Sequence, residues 1–435
     1  MRRNIIQSAS LFLSFLAVVS FSACSNDDGS GIEVPKEPVD AYLSIVATPE
    51  TLTRSVKSTD EVSFDKYINT LTALVFTEGG DFYTQKTVSS KDNDGKSVSE
   101  ITDISVKVLP NYENPEAGSS TKFQVVLIAN GGTAIENNSV KNIADLSTKI
   151  TTPSIDGLGE GDEKSYLPMS SAILTVTGLK YNGDENWIDG NNEKVKYDKE
   201  QATAVSLTRL VSQVKLRSVA VNFSSDFYKD ANFIIDEVYL VNVRKNAYFL
   251  PSSIKKEALD ETGESEGESY ENSTSDFFRG GPETFTTEDG LIANNDDNST
   301  YNRELYALSL EEEISLKNGA TTPENSFVGF SPYVYPSVVR EGEYQTRLVL
   351  SCRYRFQGEL NYTKKYFHVV IGNKDELGVG AAQNYSGIVA NSVYTIDVTI
   401  TGEGSPTPDK YVPTAELTVK IKVEPWVVEH QTEKD

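Results

Sequence analysis

The chain of 435 residues carries 64 acidic against 40 basic side chains, a net charge of −24 that argues against nucleic acid or any other polyanion as a partner. Hydrophobic residues make up 38%, enough for buried cores over about two or three domains, and the 22 Tyr and 18 Phe favour strands.

The first residues read as a targeting signal rather than as fold. Arg2 and Arg3 precede an apolar run from Ile5 to Phe21, and Phe21-Ser22-Ala23-Cys24 closes it with small residues before a cysteine. The run falls short of the ~20 apolar residues a membrane span needs. The pattern resembles a bacterial lipoprotein signal, residues 1–23, in which Cys24 becomes the acylated first residue and holds the protein at the outer membrane. Ser25 to Asp40 reads as the tether that follows. With Cys24 lipidated, only Cys352 remains and no intramolecular disulfide can form. Cys352 shares a strand face with Leu348, Leu350, Tyr354 and Phe356 and reads as a buried thiol.

Ala41 to Ala47 is a short strand, followed by a polar run through Leu52-Thr53-Arg54-Ser55. Tyr67 to Phe76 reads as a long buried strand, which Glu78-Gly79-Gly80-Asp81 turns back into Phe82 to Val88. Ile101 to Leu109, Phe123 to Ala129 and Ala172 to Thr177 are further strands. Ser139 to Ile150 is the best helix, with Val140, Ile143 and Leu146 at near-helical spacing and Ser139 as a candidate cap. Tyr181 to Asn192 reads as an acidic loop. From Val205 to Phe223 the periodicity fits either element, and the valines together with Val219, Val221 and Phe223 favour extended chain. Phe233 to Val243 is a strand, and Glu257 to Asp276 reads as a mobile insertion poor in apolar residues. Gln345 to Phe356 and Lys365 to Ile371 form a hairpin, and Val393 to Ile400 places Tyr394, Ile396, Val398 and Ile400 on one face. An all-β chain of tandem β-sandwiches with one short helix is expected.

Catalytic chemistry has little to build on. His368 and His430 are the two histidines, and neither has Cys, His or carboxylate company at metal-ligand spacing. No nucleophile elbow, P-loop or dinucleotide fingerprint occurs. Asp92-Asn93-Asp94-Gly95 imitates the start of a calcium loop without the glutamate that closes one, and Asp184, Glu185 and Asp189 are an equally weak acidic set. The chain reads as a non-enzyme with no cofactor and no metal.

The most regular stretch is Ala415 to Val428. Ala415, Leu417, Val419, Ile421 and Val423 fall on one face of an extended chain, and Glu416, Thr418, Lys420, Lys422 and Glu424 on the other. Pro425 interrupts the pairing, and Trp426 and Val428 follow as apolar anchors. Gly402 to Pro413 precedes it as a loose linker. A strand on such a tether can pack at home or in a neighbouring molecule.

Four stretches together resemble the fimbrillin family, the FimA/Mfa-type pilins of the Bacteroidales type V pilus. They are Pro168-Met169-Ser170-Ser171, Leu207 to Lys215 (L-T-R-L-V-S-Q-V-K), Ile388 to Ile400, and Leu417 to Trp426. The C-terminal part is most similar to the short-fimbria major subunit. The resemblance implies two transthyretin-like Greek-key β-sandwiches, at residues 55–204 and 205–402. It also implies export as a lipoprotein, with residues 24–54 holding the lipidated tether and a removable first strand. An Arg-specific or trypsin-like surface protease would cut between Arg54 and Ser55, with Lys57 as a second tryptic candidate. The vacated groove would take the donor segment, residues 403–435, of the next subunit. Partners are then other pilus subunits, including tip and anchor proteins, in a surface fimbrium that supports adhesion and biofilm formation.

Two other readings stand beside the stalk subunit. A tip or accessory adhesin of the same pilus needs a groove but no donor strand. A surface glycan-binding lipoprotein would stack sugars on Trp187 or on the tyrosines of Ser331-Pro332-Tyr333-Val334-Tyr335-Pro336.

Overall fold

Strands account for nearly all the regular structure, as a chain rich in Val, Thr and Tyr dictates. The computed structural model describes residues 37–49, 64–112, 114, 117–135, 139–148, 150–151, 166–181, 185–191, 194–223, 225–250, 277–278, 307–327, 329–340, 345–355, 358–372, 385–408 and 417–425. The signal, Cys24, the Arg54–Ser55 bond, Lys57, the acidic insertion 257–276, Ala415, Trp426, Val428 and His430 lie outside them.

In the first half, β1 (Val39–Pro49), β2 (Thr70–Thr77), β3 (Phe82–Ser89), β4 (Glu100–Val108) and β5 (Phe123–Ala129) are the long strands. Shorter ones follow: β6 (Ile150–Thr151), β7 (Met169–Ser170), β8 (Leu174–Val176), β9 (Glu185–Trp187) and β10 (Val205–Arg209). Nine of these form one sheet in the order β3-β2-β5-β7-β10-β1-β4, with β8 on β5 and β9 on β1. β2 and β5 read as continuous apolar runs because both their faces are covered. Leu71, Ala73, Val75, Val125 and Leu127 join one core, and Leu74, Phe76, Val126 and Ile128 join another.

The second half contains β11 (Ser212–Val221), β12 (Asn232–Val241), β13 (Val243–Arg244), β14 (Ala247–Tyr248), β15 (Phe277–Phe278) and β16 (Ala307–Leu316). It continues with β17 (Tyr333–Val334), β18 (Ser337–Arg340), β19 (Arg347–Arg355), β20 (Thr363–Val370), β21 (Tyr385–Ile388), β22 (Ser392–Ile400) and β23 (Leu417–Pro425). Two four-stranded sheets, β17-β11-β22-β23 and β16-β12-β19-β20, share one core. Val214, Leu216, Ile396 and Val398 from the first meet Phe233, Ile235, Leu350 and Cys352 from the second, the arrangement of a β-sandwich. The sheet therefore changes between Arg209 and Ser212, inside the stretch expected to be extended.

The expected helix at 139–150 shrinks to a single turn, α1 (Asp145–Thr148). Residues 141–143 are occupied elsewhere: Lys141 carbonyl accepts from Phe82 N–H, and Ile143 N–H donates to Gly80 carbonyl. The apolar period is real, since Val140 and Leu146 are buried, but pairing to the β2–β3 turn takes the backbone a helix would need. Gly80 in that turn has φ +88, and a Cβ there would meet Ile143 Cγ2 at 2.9 Å.

Candidate functional site

The first and last described strands occupy opposite kinds of position. β1 lies inside its sheet, antiparallel to β4 along one edge, from Val39↔Val108 to Val46↔Glu100. Along the other edge it runs parallel to β9 (Tyr42↔Glu185 to Ser44↔Trp187) and then to β10 (Ala47↔Val205 to Pro49↔Leu207). Alternation sends Ala41, Leu43, Ile45 and Ala47 into the core, each at most 2% exposed. Three further contacts hold β1. Buried Asn186 donates from Nδ2 to Tyr42 carbonyl at 3.0 Å, Ile188 N–H donates to Ser44 carbonyl at 2.9 Å, and Lys107 pairs with Asp40 at 2.8 Å on the outer face. Asp40 raises the Lys107 ammonium above its ordinary pKa, but both groups are solvated and the pair stabilises little.

Past residues 50–63, the chain resumes in the turn Phe64–Lys66 and is pinned at once by a buried arginine. Arg209, at the end of β10 and fully buried, donates from Nε to Asp65 carbonyl at 3.0 Å and pairs with the Asp65 carboxylate at 3.6 Å. Its Nη1 donates to Asn391 Oδ1 at 3.2 Å, just before β22. One guanidinium thus joins the groove wall, the residues following the expected cut and the base of the C-terminal sheet. Arg209→Ala is expected to lower stability by about 3 kcal/mol, read in the denaturant midpoint, because Asp65 loses its cation. Arg209→Lys should recover only part, since an ammonium cannot span all three contacts.

Among the described residues β23 lies at an edge and pairs with β22 alone, antiparallel, from Ser392↔Pro425 to Ile400↔Leu417. Leu417, Val419, Ile421 and Val423 are half-buried against the C-terminal core, while Thr418, Lys420 and Lys422 face solvent. The expected donor strand thus packs at home here, on one ladder. Beneath it, Asp397 is paired with Arg217 and bonded by Ser218, with Lys420 opposite. Arg217 is the largest influence and holds the carboxyl below the usual carboxylate range, against burial, which pushes it up. A folded-state pKa below the unfolded ~3.9 gives stabilisation that is complete above that value and lost as pH falls through the folded one. The protection of the β23 amides, relative to the intrinsic exchange rate at each pH, should therefore fall below about pH 4, and Asp397→Asn should remove that dependence.

Of the rings suggested for sugar stacking, Trp187 and Tyr335 are buried and Tyr333 is half-buried in β17. Trp187 is 4% exposed, donates from Nε1 to Glu185 at 2.9 Å and belongs to β9 rather than to a loop. Tyr335 is fully buried. Neither ring can carry a ligand as it stands. Cys352 is buried as expected, and burial pushes its thiol pKa well up. His368 is buried at 7% exposure. Asp92 accepts from the Ser89 N–H and hydroxyl, closing a turn, and Asp189 is taken by Lys196, Thr203 and Asn191. Among the described residues no cluster of His, Cys, Asp and Glu is arranged to hold a metal ion.

Sequence reading alone missed β9 and the Arg209 contacts. The apolar pair Trp187-Ile188 inside an acidic loop, and an arginine between two apolar strands, were the available signals.

Residues 41–209 match the model of the family described as "Major fimbrial subunit protein (FimA)". No curated protein matches the chain. The crystal structure of a proposed cell adhesion protein from Parabacteroides distasonis superposes with a TM-score of 0.56 at 18% identity, over 90% of this chain and 99% of that one. A second structure under that description from the same organism gives 0.55 at 18% identity, over 89% and 100%. A fimbrilin (FimA) from Porphyromonas gingivalis gives 0.51 at 19% identity, over 90% and 99%. At these identities the likeness is one of fold, and it extends over both halves of the chain.

Proposed function

We propose that this chain, whose residues 41–209 match the model of the major fimbrial subunit family, is a pilus stalk subunit that polymerises by protease-triggered strand exchange at the cell surface. One observation carries the reading: the first described strand lies inside its sheet with partners on both sides, while the last described strand lies at an edge on a single ladder. Arg54 and Ser55 fall between β1 and Phe64. A single cut there severs every covalent link between β1 and the rest of the fold, and frees the protein from any lipid on Cys24.

Loss of β1 opens a slot with unpaired backbone on β4, β9 and β10 and an uncovered apolar floor, which water cannot satisfy well. β23 offers the complementary part. It can exchange one ladder and half-burial at home for two ladders and full burial in a neighbour, the mode of strand addition. We take the division into two domains to follow the change of sheet at Leu210–Val211.

The test is N-terminal sequencing of protein recovered from the cell surface, together with its assembly state. The reading expects multimers beginning at Ser55 or Ser58. Intact monomers retaining β1 would oppose it and favour an anchor role.

A further inference from the structure

The strand that leaves and the strand proposed to replace it share a short pattern. β1 contains Ala41-Tyr42-Leu43-Ser44-Ile45, and the tail contains Ala415-Glu416-Leu417-Thr418-Val419. Resting on the strand-exchange reading, we infer the register of the exchange: Leu417-Thr418-Val419 of a second copy of this chain seats where Leu43-Ser44-Ile45 sits, running in the same direction as β1.

The groove itself discriminates between registers. Leu43 and Ile45 are fully buried, whereas positions 41 and 47, equally buried, are cut for alanine. In the inferred register Leu417 replaces Leu43 and Val419 replaces Ile45, and Ile421 at Ala47 is the one enlarged side chain. Shifting the donor by two residues puts Leu417 at Ala41 and Val423 at Ala47, overfilling two sites while leaving a void where Val419 replaces Leu43.

Position 44 discriminates by size. Ser44 is 6% exposed, lies opposite Trp187 of β9 and sits where the ladder to β4 is irregular. The inferred register gives it Thr418, a hydroxyl for a hydroxyl. The shifted register gives it Lys420, a long side chain where a serine 6% exposed fits, against a Trp187 ring that already lies under the Lys199 ammonium.

The outer face discriminates little. Lys420 replaces Val46, whose partner across the β4 ladder is Glu100, now paired with Lys199. The shifted register offers Lys422 to Glu100 and Glu416 to Lys107, but contacts of that kind between solvated groups are worth little.

Cysteine pairs read the register directly. Trimmed protein carrying Glu100→Cys with Lys420→Cys is expected, on oxidation, to give a ladder of covalent multimers that collapses on reduction. Glu100→Cys with Lys422→Cys, or with Thr418→Cys, is expected to give only traces. At home Lys420 lies opposite Asp397, so a Glu100 cross-link reports exchange. A ladder that appears with Lys422→Cys instead overturns the register while leaving strand exchange standing. Failure of the trimmed wild-type chain to form any multimer removes the strand-exchange reading itself. Multimers that form with none of the three pairs bridging show that the tail does not run beside β4, and the inference falls.

Discussion

Limited trypsin treatment of the full chain is expected to convert monomers into multimers, and Arg54→Gln combined with Lys57→Gln is expected to leave the treated chain monomeric. The effect should be all or none because the cut changes how β1 is held rather than what it touches. While joined, β1 returns to its slot at an effective concentration of about millimolar. Once cut, it competes at the concentration of free fragment. Its large inward side chains are Leu43 and Ile45, flanked by alanines, a gross burial of roughly 3–6 kcal/mol at ~1.5–3 kcal/mol each. Leu417, Val419, Ile421 and Val423 bring roughly 6–12 kcal/mol on the same scale, about half of it already realised at home. The donor therefore starts at least level with the fragment, and it gains a second backbone ladder. Size-exclusion chromatography with N-terminal sequencing of each peak checks the outcome. Clean cutting with monomers alone would count against a stalk role.

Deleting residues 415–435 is expected to leave a folded monomer that never polymerises after trimming but still accepts a donor. β23 is the edge strand of its sheet and its apolar side chains are only half-buried. Removing it uncovers one margin of the C-terminal core. Its loss should lower stability by a few kcal/mol without dissolving the sandwich that β11, β12, β19 and β22 build. Mixed in equal amounts with trimmed full-length protein, the truncated chain should shorten the multimers several-fold, because each copy ends a fibre. A truncation that simply unfolds would mean that β23 belongs to its own sandwich.

The long strands could be read directly from alternation. β22 and β23 send every second residue inward throughout, and β4 and β11 do so on either side of one bulge, because a half-buried strand has little freedom to do otherwise. β2 and β5 were legible for the opposite reason, being apolar on both faces. What the sequence concealed were choices made by distant backbone. The period at Val140, Ile143 and Leu146 is helical, yet the β2–β3 turn claims residues 141–143, which no local signal records. β9 is three residues long and is held extended by β1 on one side and by Lys196, bridged to Trp187, on the other. The buried role of Arg209 depends on Asp65 and Asn391, each far away in the chain. The donor segment was the clearest pattern of all and still could not be placed, since one apolar face fits an edge at home as well as a neighbour's groove.

Hydrogen exchange over β4, β9 and β10 tests the central claim most directly, using the trimmed chain without residues 415–435 and a synthetic peptide of Ala415 to Val428. Trimming should expose the amides of Glu100–Val108, Glu185–Trp187 and Val205–Arg209, and the peptide should protect them again. If those amides stay protected after trimming, or if the peptide protects only β22, the tail does not fill the place of the first strand.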